Sequence, residues 1–458
     1  MRSICYTLVS CALLFTVSAC NDSNLAKNEP STKPVTQGTF SEDAGAGASD
    51  MKFAGSDPKV TEPEGGGTGS GIDDRQTTRR EGGDAIVEGR SADSEKIHEG
   101  QAQLGPRPFF LVDDMSESPL KTQLKSCENG PFKRTDFAIS HRGAPLQFPE
   151  HTKEGYLAAI RMGAGILECD VTVTKDKQLV CRHSQCDLAE TTNILSTSLA
   201  TQCAQPFSPA KNGKEASARC CTSDITLAEF KTLKGKMEGK NTKATTVTEF
   251  QQGTPDWRTD LYSTRRGMLM SHAESIALFA KAGVKMTPEL KNLDRIPGGY
   301  SLDAYRQQVV DEYKAAKIDP SNVFIQSFNL PDVLYWIKHE PEFGQRSSYL
   351  YSPADSPTLV GDMEKLYAQG VRTISSNLAQ LVTKNAEGKL TPSNAARAAK
   401  RAGIELVGWT LERDGMPKNT GDETYGLVDV LAQQVRVKGI FSDWPATTNY
   451  YANCMGLK

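Results

Sequence analysis

Beyond residue 105 the chain alternates short apolar runs of strand character with runs of helical spacing. That alternation restricts the fold more than any other feature. Strand–helix–strand repetition is the mark of an α/β protein whose parallel sheet is covered by helices. Strand-like runs fall at 137–140, 166–173, 179–183, 284–290, 323–328, 348–351, 371–375, 404–411 and 439–442. Helical stretches separate most of them. One covers 154–162 and stops at Gly163; another spans 272–282, with Ser271 and Glu274 as a capping box and Gly283 past its end. A closed eight-stranded TIM (β/α)8 barrel takes about 250 residues, and about 350 follow Gly105. The surplus lies mainly in 185–270, read as a long Cys-containing insertion after the third strand. Nine candidates for eight places leave one strand irregular or added at an edge.

The first 105 residues follow other rules. Residues 4–19 are mostly apolar or small after the weakly positive Met1-Arg2, the shape of a secretory signal. The segment closes on Val17-Ser18-Ala19-Cys20, which resembles a bacterial lipobox whose Cys20 is lipidated. Two or more acyl chains on such a residue give stable membrane anchoring. Residues 21–105 carry almost no hydrophobic periodicity and include Gly65-Gly66-Gly67-Thr68-Gly69-Ser70-Gly71. A segment of that composition cannot bury enough apolar surface to offset its ordering entropy, so it is expected to be a disordered tether. It also explains a hydrophobic content of only 38%. The expected organisation is a signal with lipobox at 1–20, a linker at 21–105 and a barrel at 106–458. The expected location is the bacterial cell envelope, in the periplasm or on the surface, with a membrane partner through the lipid anchor. Lys and Arg number 53 against 56 Asp and Glu, a balance that argues against a basic nucleic-acid surface.

Eleven cysteines are present, and three of them, Cys5, Cys11 and Cys20, belong to the signal and anchor. The other eight form an even set, which in an exported protein suggests disulfides. Cys127 and Cys454 bracket the folded region and are expected to bridge its ends. Cys186, Cys203, Cys220 and Cys221 cluster in the insertion and are suited to staple it. Cys169 and Cys181 sit in apolar strands and read as buried thiols. A zinc site is the weaker reading, since no Cys-x-x-Cys pair exists.

Four runs end in or carry polar residues where burial is expected. They are Ser140-His141-Arg142-Gly143, Glu168-Cys169-Asp170, Arg182-His183 and Glu289-Leu290-Lys291. The C-terminal ends of barrel strands are where active sites lie, so four consecutive strands are expected to deliver these groups to one place. Glu168 and Asp170 are two apart on a strand and point to one face. Paired carboxylates in a core repel one another unless a cation lies between them. Glu289 offers a third oxygen from the next wall, and an all-oxygen set suits Mg²⁺ or Ca²⁺. His141 and His183 titrate near neutrality and suit general acid and base work. Arg142 presents a planar fork to phosphate oxygens and Lys291 a point charge. Together these groups indicate phosphoryl chemistry on an anionic ester.

The same residues carry a family resemblance. His141-Arg142-Gly143, Pro149-Glu150-His151-Thr152, Glu168-Cys169-Asp170 and Thr174-Lys175-Asp176, through His183, resemble the glycerophosphodiester phosphodiesterase family. Glu289-Leu290-Lys291, Gln326-Ser327-Phe328, Trp409-Thr410-Leu411 and Ser442-Asp443-Trp444-Pro445 resemble its later motifs, so the match runs from about Asp136 to Pro445. The resemblance implies a TIM barrel of the phosphodiesterase type, with His141 and His183 catalytic. It implies Glu168, Asp170 and Glu289 as ligands of one divalent cation, Ca²⁺ or Mg²⁺. It places Arg142 and Lys291 near the phosphate, and Glu150 and Trp409 are candidates on the substrate side. His151 stands where the family usually has Asn, and Ser184 where an Asp usually follows the second His. The implied reaction is metal-dependent hydrolysis of a small glycerophosphodiester to sn-glycerol 3-phosphate and an alcohol. Alternatives are a lysophospholipase D-type lipid phosphodiesterase on the same fold and a non-catalytic surface-binding lipoprotein. Blander roles fall to His272 (solvated or capping at a helix start), to His98 and His339 in polar contexts, and to Tyr450-Tyr451, packed outside the barrel.

Overall fold

The computed structural model describes residues 100–262, 267–353, 358–414, 417 and 420–458. The signal segment with Cys20, His98 and nearly all of the expected linker lie outside these residues. Two short helices come first, α1 (Arg107–Asp113) and α2 (Pro119–Ser126). Eight parallel strands then close on themselves. They are β1 (Thr135–Ser140), β2 (Ala164–Val173), β4 (Lys285–Leu290), β5 (Gln326–Ser327), β6 (Ser348–Leu350), β7 (Thr373–Asn377), β8 (Glu405–Leu411) and β9 (Ile440–Ser442). Each pairs in parallel with the next, and β1 pairs with both β9 and β2, which closes the barrel. A helix follows each strand before the next barrel strand begins: α3 (Lys153–Arg161), α4 (His272–Ala282), α5 (Leu302–Ala315), α6 (Leu330–His339), α7 (Leu359–Ala368), α8 (Asn394–Ala402), α9 (Gly421–Asp429) and α10 (Pro445–Cys454). Among the described residues no helix is long and apolar enough to cross a membrane.

The ninth strand candidate is β3 (Leu179–Cys181), which runs antiparallel to the end of β2 with Val171 opposite Cys181. It is a hairpin arm and not a barrel wall. Three barrel strands, rather than four, therefore carry the first polar groups, while the arm turns the chain back so that Arg182 and His183 return to the barrel mouth. The reason is local: Thr174–Gln178 forms a tight turn, with the Lys177 N–H on the Thr174 carbonyl at 3.0 Å. A turn that short allows only an antiparallel return.

Alternation along the strands divides the apolar residues between two cores. Leu167, Val171, Met286, Ile374 and Leu406 point outward and pack with Tyr156, Phe279, Tyr313 and Trp336 of the helices. Ile139, Ile166 and Phe441 point inward, with Phe324, Val407 and Trp409 against them. The helix ends follow their sequence signals. Ser271 and Glu274 form the capping box of α4, and Gly283 ends it at φ +63°. His272 differs from expectation: it is buried, with Nδ1 2.8 Å from Glu312 Oε2 and Nε2 3.3 Å from Tyr313 Oη. It opens the inward stripe continued by Ile276 and Phe279, so its ring faces α5 and not solvent. Tyr450 and Tyr451 are buried in the outer core.

Residues 185–270 build a small core of their own, including Leu188, Ile194, Phe230, Leu233 and Phe250. Disulfides Cys186–Cys221 and Cys203–Cys220 staple it, and Cys127–Cys454 joins the ends of the folded region. Cys169 and Cys181 are not free thiols but a disulfide. The hairpin register puts both on one face of β2–β3 and brings their Cα atoms to 5.2 Å, within bridging range.

Candidate active site

Register brings the polar groups of the inner face to one level. Ser140 pairs with Ser442 and with Leu167, so His141 falls beside Glu168 and Asp443 one residue further on. Asp170 pairs with Glu289, and Glu289 with Gln326. Oxygen atoms of Glu168, Asp170 and Glu289 all lie within 4.8 Å of one another, and all three residues are buried. Burial raises the Glu168 carboxyl well above its ordinary pKa, and the charges of Asp170 and Glu289 push the same way. For Asp170 burial acts upward too, but Lys291, His151 and Arg142 outweigh it and hold the group well below the usual range. Asp170 Oδ1 is buried without a hydrogen-bond partner. An orphaned carboxylate oxygen inside a mutually repelling, all-oxygen trio fits a hard divalent cation such as Mg²⁺ or Ca²⁺.

The supports of this trio come from several elements. Gln326 Nε2 donates to Glu168 Oε1 at 2.9 Å, and the Arg142 backbone N–H donates to Glu168 Oε2 at 3.0 Å. His151 Nε2 lies 2.9 Å from Asp170 Oδ2, with Nδ1 2.8 Å from Tyr156 Oη. Arg142 Nε is 3.3 Å from the same Asp170 oxygen, and Lys291 Nζ pairs with Glu289 Oε1 at 2.6 Å. Arg142 and His151 both hold positive φ, +53° and +52°. Non-glycine residues in that region need surroundings that fix them. Gly143 follows at φ +100°, and a Cβ there would lie 3.0 Å from the Gly155 backbone. The turn after β1 therefore requires glycine at 143 so that Arg142 can reach the site.

His141 is buried at the rim of the trio. Its Nδ1 lies 2.6 Å from Asp443 Oδ1 and its Nε2 4.0 Å from Glu168 Oε2. Burial, with the cations Arg142 and Arg413 nearby, holds the imidazole pKa well below its ordinary value. Burial raises Asp443 to about 6. His183 is half-buried and follows Arg182, whose backbone N–H donates to the Asp170 carbonyl at 2.8 Å and whose guanidinium donates to the Glu150 carbonyl. Glu150 is buried among guanidinium groups: Arg413 Nη1 donates to its Oε1 at 3.0 Å, Arg142 Nη1 approaches both oxygens at 3.4 Å, and Arg258 Nη2 lies 3.5 Å away. Burial would raise this carboxyl, but Arg142, Arg413 and Arg258 hold it well below the usual range. Trp409 stands on the inner face with Phe328 edge-on at 5.8 Å, and its buried Nε1 has no hydrogen-bond partner.

Sequence reasoning did not assign roles to Asp443, Gln326, Arg413, Arg258 or Glu238, and it set His151 aside. Asp443 and Gln326 lie in strand-end motifs, so their position was a usable signal. His151 stood beside Glu150, but its contact with Asp170 spans 19 positions of chain. Nothing in the local pattern marks Arg258 or Glu238, which lie in the insertion.

The model of the glycerophosphoryl diester phosphodiesterase family matches residues 141–447, which contain every residue of this site. The chain belongs to that family. An extracellular protein of the fungus Arthroderma benhamiae is 42% identical over 247 residues, covering 48% of this chain and all of that one. A glycerophosphodiester phosphodiesterase of Arabidopsis thaliana is 22% identical over 381 residues, 76% of this chain and 93% of that one. Among solved structures, a glycerophosphodiester phosphodiesterase from Agrobacterium tumefaciens is 18% identical with a TM-score of 0.42, covering 68% of this chain and 98% of its own. A phosphodiesterase from Oleispira antarctica, solved with its product sn-glycerol-3-phosphate, has the same identity and TM-score, over 68% and 95% of the two chains.

Proposed function

We propose that this protein hydrolyses small glycerophosphodiesters to sn-glycerol 3-phosphate and an alcohol. The observation that carries the reading is the buried carboxylate trio with His141 at its rim. Glu168, Asp170 and Glu289 would hold one divalent cation, which neutralises and polarises a phosphodiester. Arg142 and Lys291 flank the trio and supply positive charge to the remaining phosphate oxygens. His141 has Nδ1 committed to Asp443, which leaves Nε2 to accept or give a proton on the side of Glu168. A depressed pKa favours the neutral ring, the form in which it serves as base. His183, returned to the mouth by the hairpin, takes the complementary role on the leaving alcohol. Trp409 and Phe328 offer an apolar wall for the glycerol or head group.

The signal-like segment and the extracellular relative support export. We assign residues 1–20 to a signal, 21–105 to a tether and 106–458 to the enzyme, with 185–270 as its insertion. Anchoring through Cys20 rests on the lipobox pattern alone, and the mass of the mature N-terminus decides it. Activity is tested by glycerol 3-phosphate release from glycerophosphocholine after EDTA, then with Ca²⁺ or Mg²⁺ restored. Metal-dependent release is the expected result. Cleavage of lysophosphatidylcholine alone would transfer the reading to a lipid phosphodiesterase, and silence on both would refute it.

A further inference from the structure

The insertion enters the site with charge of its own. Arg413, just past β8, donates through Nη1 to Glu150 at 3.0 Å and through Nη2 to Glu238 Oε2 at 2.9 Å. Arg258 donates through Nη1 to the same Glu238 oxygen at 3.1 Å and sets Nη2 3.5 Å from Glu150 Oε1. The four groups form one closed cluster in which both guanidinium groups meet both carboxyls, and Glu150 and Glu238 also touch each other. Burial and the Glu150 charge raise the Glu238 carboxyl above its usual pKa. Two members come from barrel loops and two from residues 185–270. The cluster touches the chemistry at two points. Glu150 meets the Arg142 guanidinium, which reaches Asp170. Arg413 meets Asp443 Oδ2 at 3.4 Å, and Asp443 holds His141.

The cluster is also fixed in place. Arg258 Nε donates to the Pro145 carbonyl at 2.7 Å, and the Thr259 N–H donates to the Leu146 carbonyl at 3.1 Å. Tyr262 stacks on Phe148 with centroids 4.8 Å apart, and Trp257 lies against both Arg258 and Arg413. The Arg258 side chain and Glu150 are essentially inaccessible to solvent. A buried ion network with one member removed leaves an uncompensated charge, and the remaining partners must move to meet it. Here the remaining partners are Glu150 and Arg413, which lead to Arg142 and Asp443.

We infer that residues 185–270 are a working part of the active site, with Arg258 and Glu238 as positioning residues. Through Glu150 and Arg413 they set the Arg142 guanidinium on the cation ligands and the Asp443–His141 pair. This rests on the diesterase reading for its kinetic test, and a second readout stands apart from activity. Outer groups that orient metal-site residues typically change activity by about 10–100-fold when lost. Arg258→Met is expected to lower kcat by that factor, and millimolar methylguanidinium to restore part of it without raising Tm. Combined with Glu150→Gln, it is expected to cost no more than the worse single variant, because both act through one chain of contacts. Glu238→Gln, which keeps its shape, serves if Arg258→Met does not fold. In parallel, the imidazole nitrogen resonances of His141, assigned against His141→Ala, are expected to shift in Arg258→Met. A folded Arg258 variant with kcat within about threefold of wild type, multiplicative losses in the double variant, or unmoved His141 resonances would overturn the inference. Wild-type inactivity with shifted resonances would remove the diesterase reading and leave the positioning role standing.

Discussion

Replacing Asp443 by Asn tests the acid–base arrangement at its narrowest point. His141 Nδ1 lies 2.6 Å from Asp443 Oδ1, and its backbone N–H is fixed on the Ser442 carbonyl at 3.1 Å. The carboxylate thus selects the tautomer with the proton on Nδ1 and leaves Nε2 free to take one. When Nε2 is protonated in the transition state, the ring becomes a cation bonded to an anion. A hydrogen bond to a charged group contributes about 1.5–3 kcal/mol, or roughly 10–150-fold in rate if it is lost only in the transition state. Asn can also turn its amide N–H₂ toward Nδ1, which moves the proton to Nε2 and removes the base. Acid–base catalysis as a whole is worth about 10²–10⁴-fold, which sets the ceiling. Asp443→Asn is therefore expected to lower kcat at least about tenfold, but by no more than His141→Ala does. The assay is initial-rate release of glycerol 3-phosphate at saturating cation, above the pKa of about 6 to which burial raises Asp443. A kcat within about threefold of wild type, or a further loss when Asp443→Asn is added to His141→Ala, would refute the assignment.

Burial, Asp170 and Glu289 raise the Glu168 pKa. At neutral pH without divalent ions the fold must therefore either hold this charge against its neighbours or take up a proton. Glu168→Gln needs neither and is expected to melt above wild type. Its activity with ions restored should fall; calorimetric melts in EDTA, paired with rates, check both signs. Cys203→Ser combined with Cys220→Ser opens a closed loop in the insertion and should weaken that unit by roughly 3 kcal/mol, read as faster limited proteolysis within 185–270. Burial raises the Asp187 carboxyl to about 7, so between the usual carboxylate range and that value the folded chain keeps a proton the unfolded chain has lost. Stability from this group is therefore lost as pH rises through the window, at up to about 1.4 kcal/mol per pH unit. Asp187→Asn should flatten that slope in denaturant melts at several pH values, and an unchanged slope would reject it.

Much of the site was legible because barrel strands are local objects. A strand of period two that breaks into charge at its C-terminal end marks an inward position and a candidate for the site. That is how His141, Glu168, Asp170 and Glu289 stood out. The structure brings the three carboxylates within 4.8 Å of one another. The cap residues of α4 were equally local. His272 was misjudged because a helix-start position is polar by default, and only the neighbouring α5 reveals its partners. Cys169 and Cys181 have the look of buried thiols in the chain, because two strand cysteines carry no mark of the hairpin register that pairs them.

The sequence by itself determined the alternation of strand and helix, the ring of inward polar residues and the presence of a large insertion. These follow from backbone period and from which side chains tolerate burial, both of which act over a few residues. Only the tertiary structure decided which of the nine strand candidates leaves the barrel, which cysteines pair and which distant groups hold the candidate site residues. Arg413 meets Glu150 across 263 positions, and Arg258 meets the Pro145 carbonyl across 113. Contacts of that span depend on barrel closure and on where the insertion comes to rest. Neither leaves a periodic trace in the chain, because a buried charge is made tolerable by its partner in space and not by its neighbours in sequence.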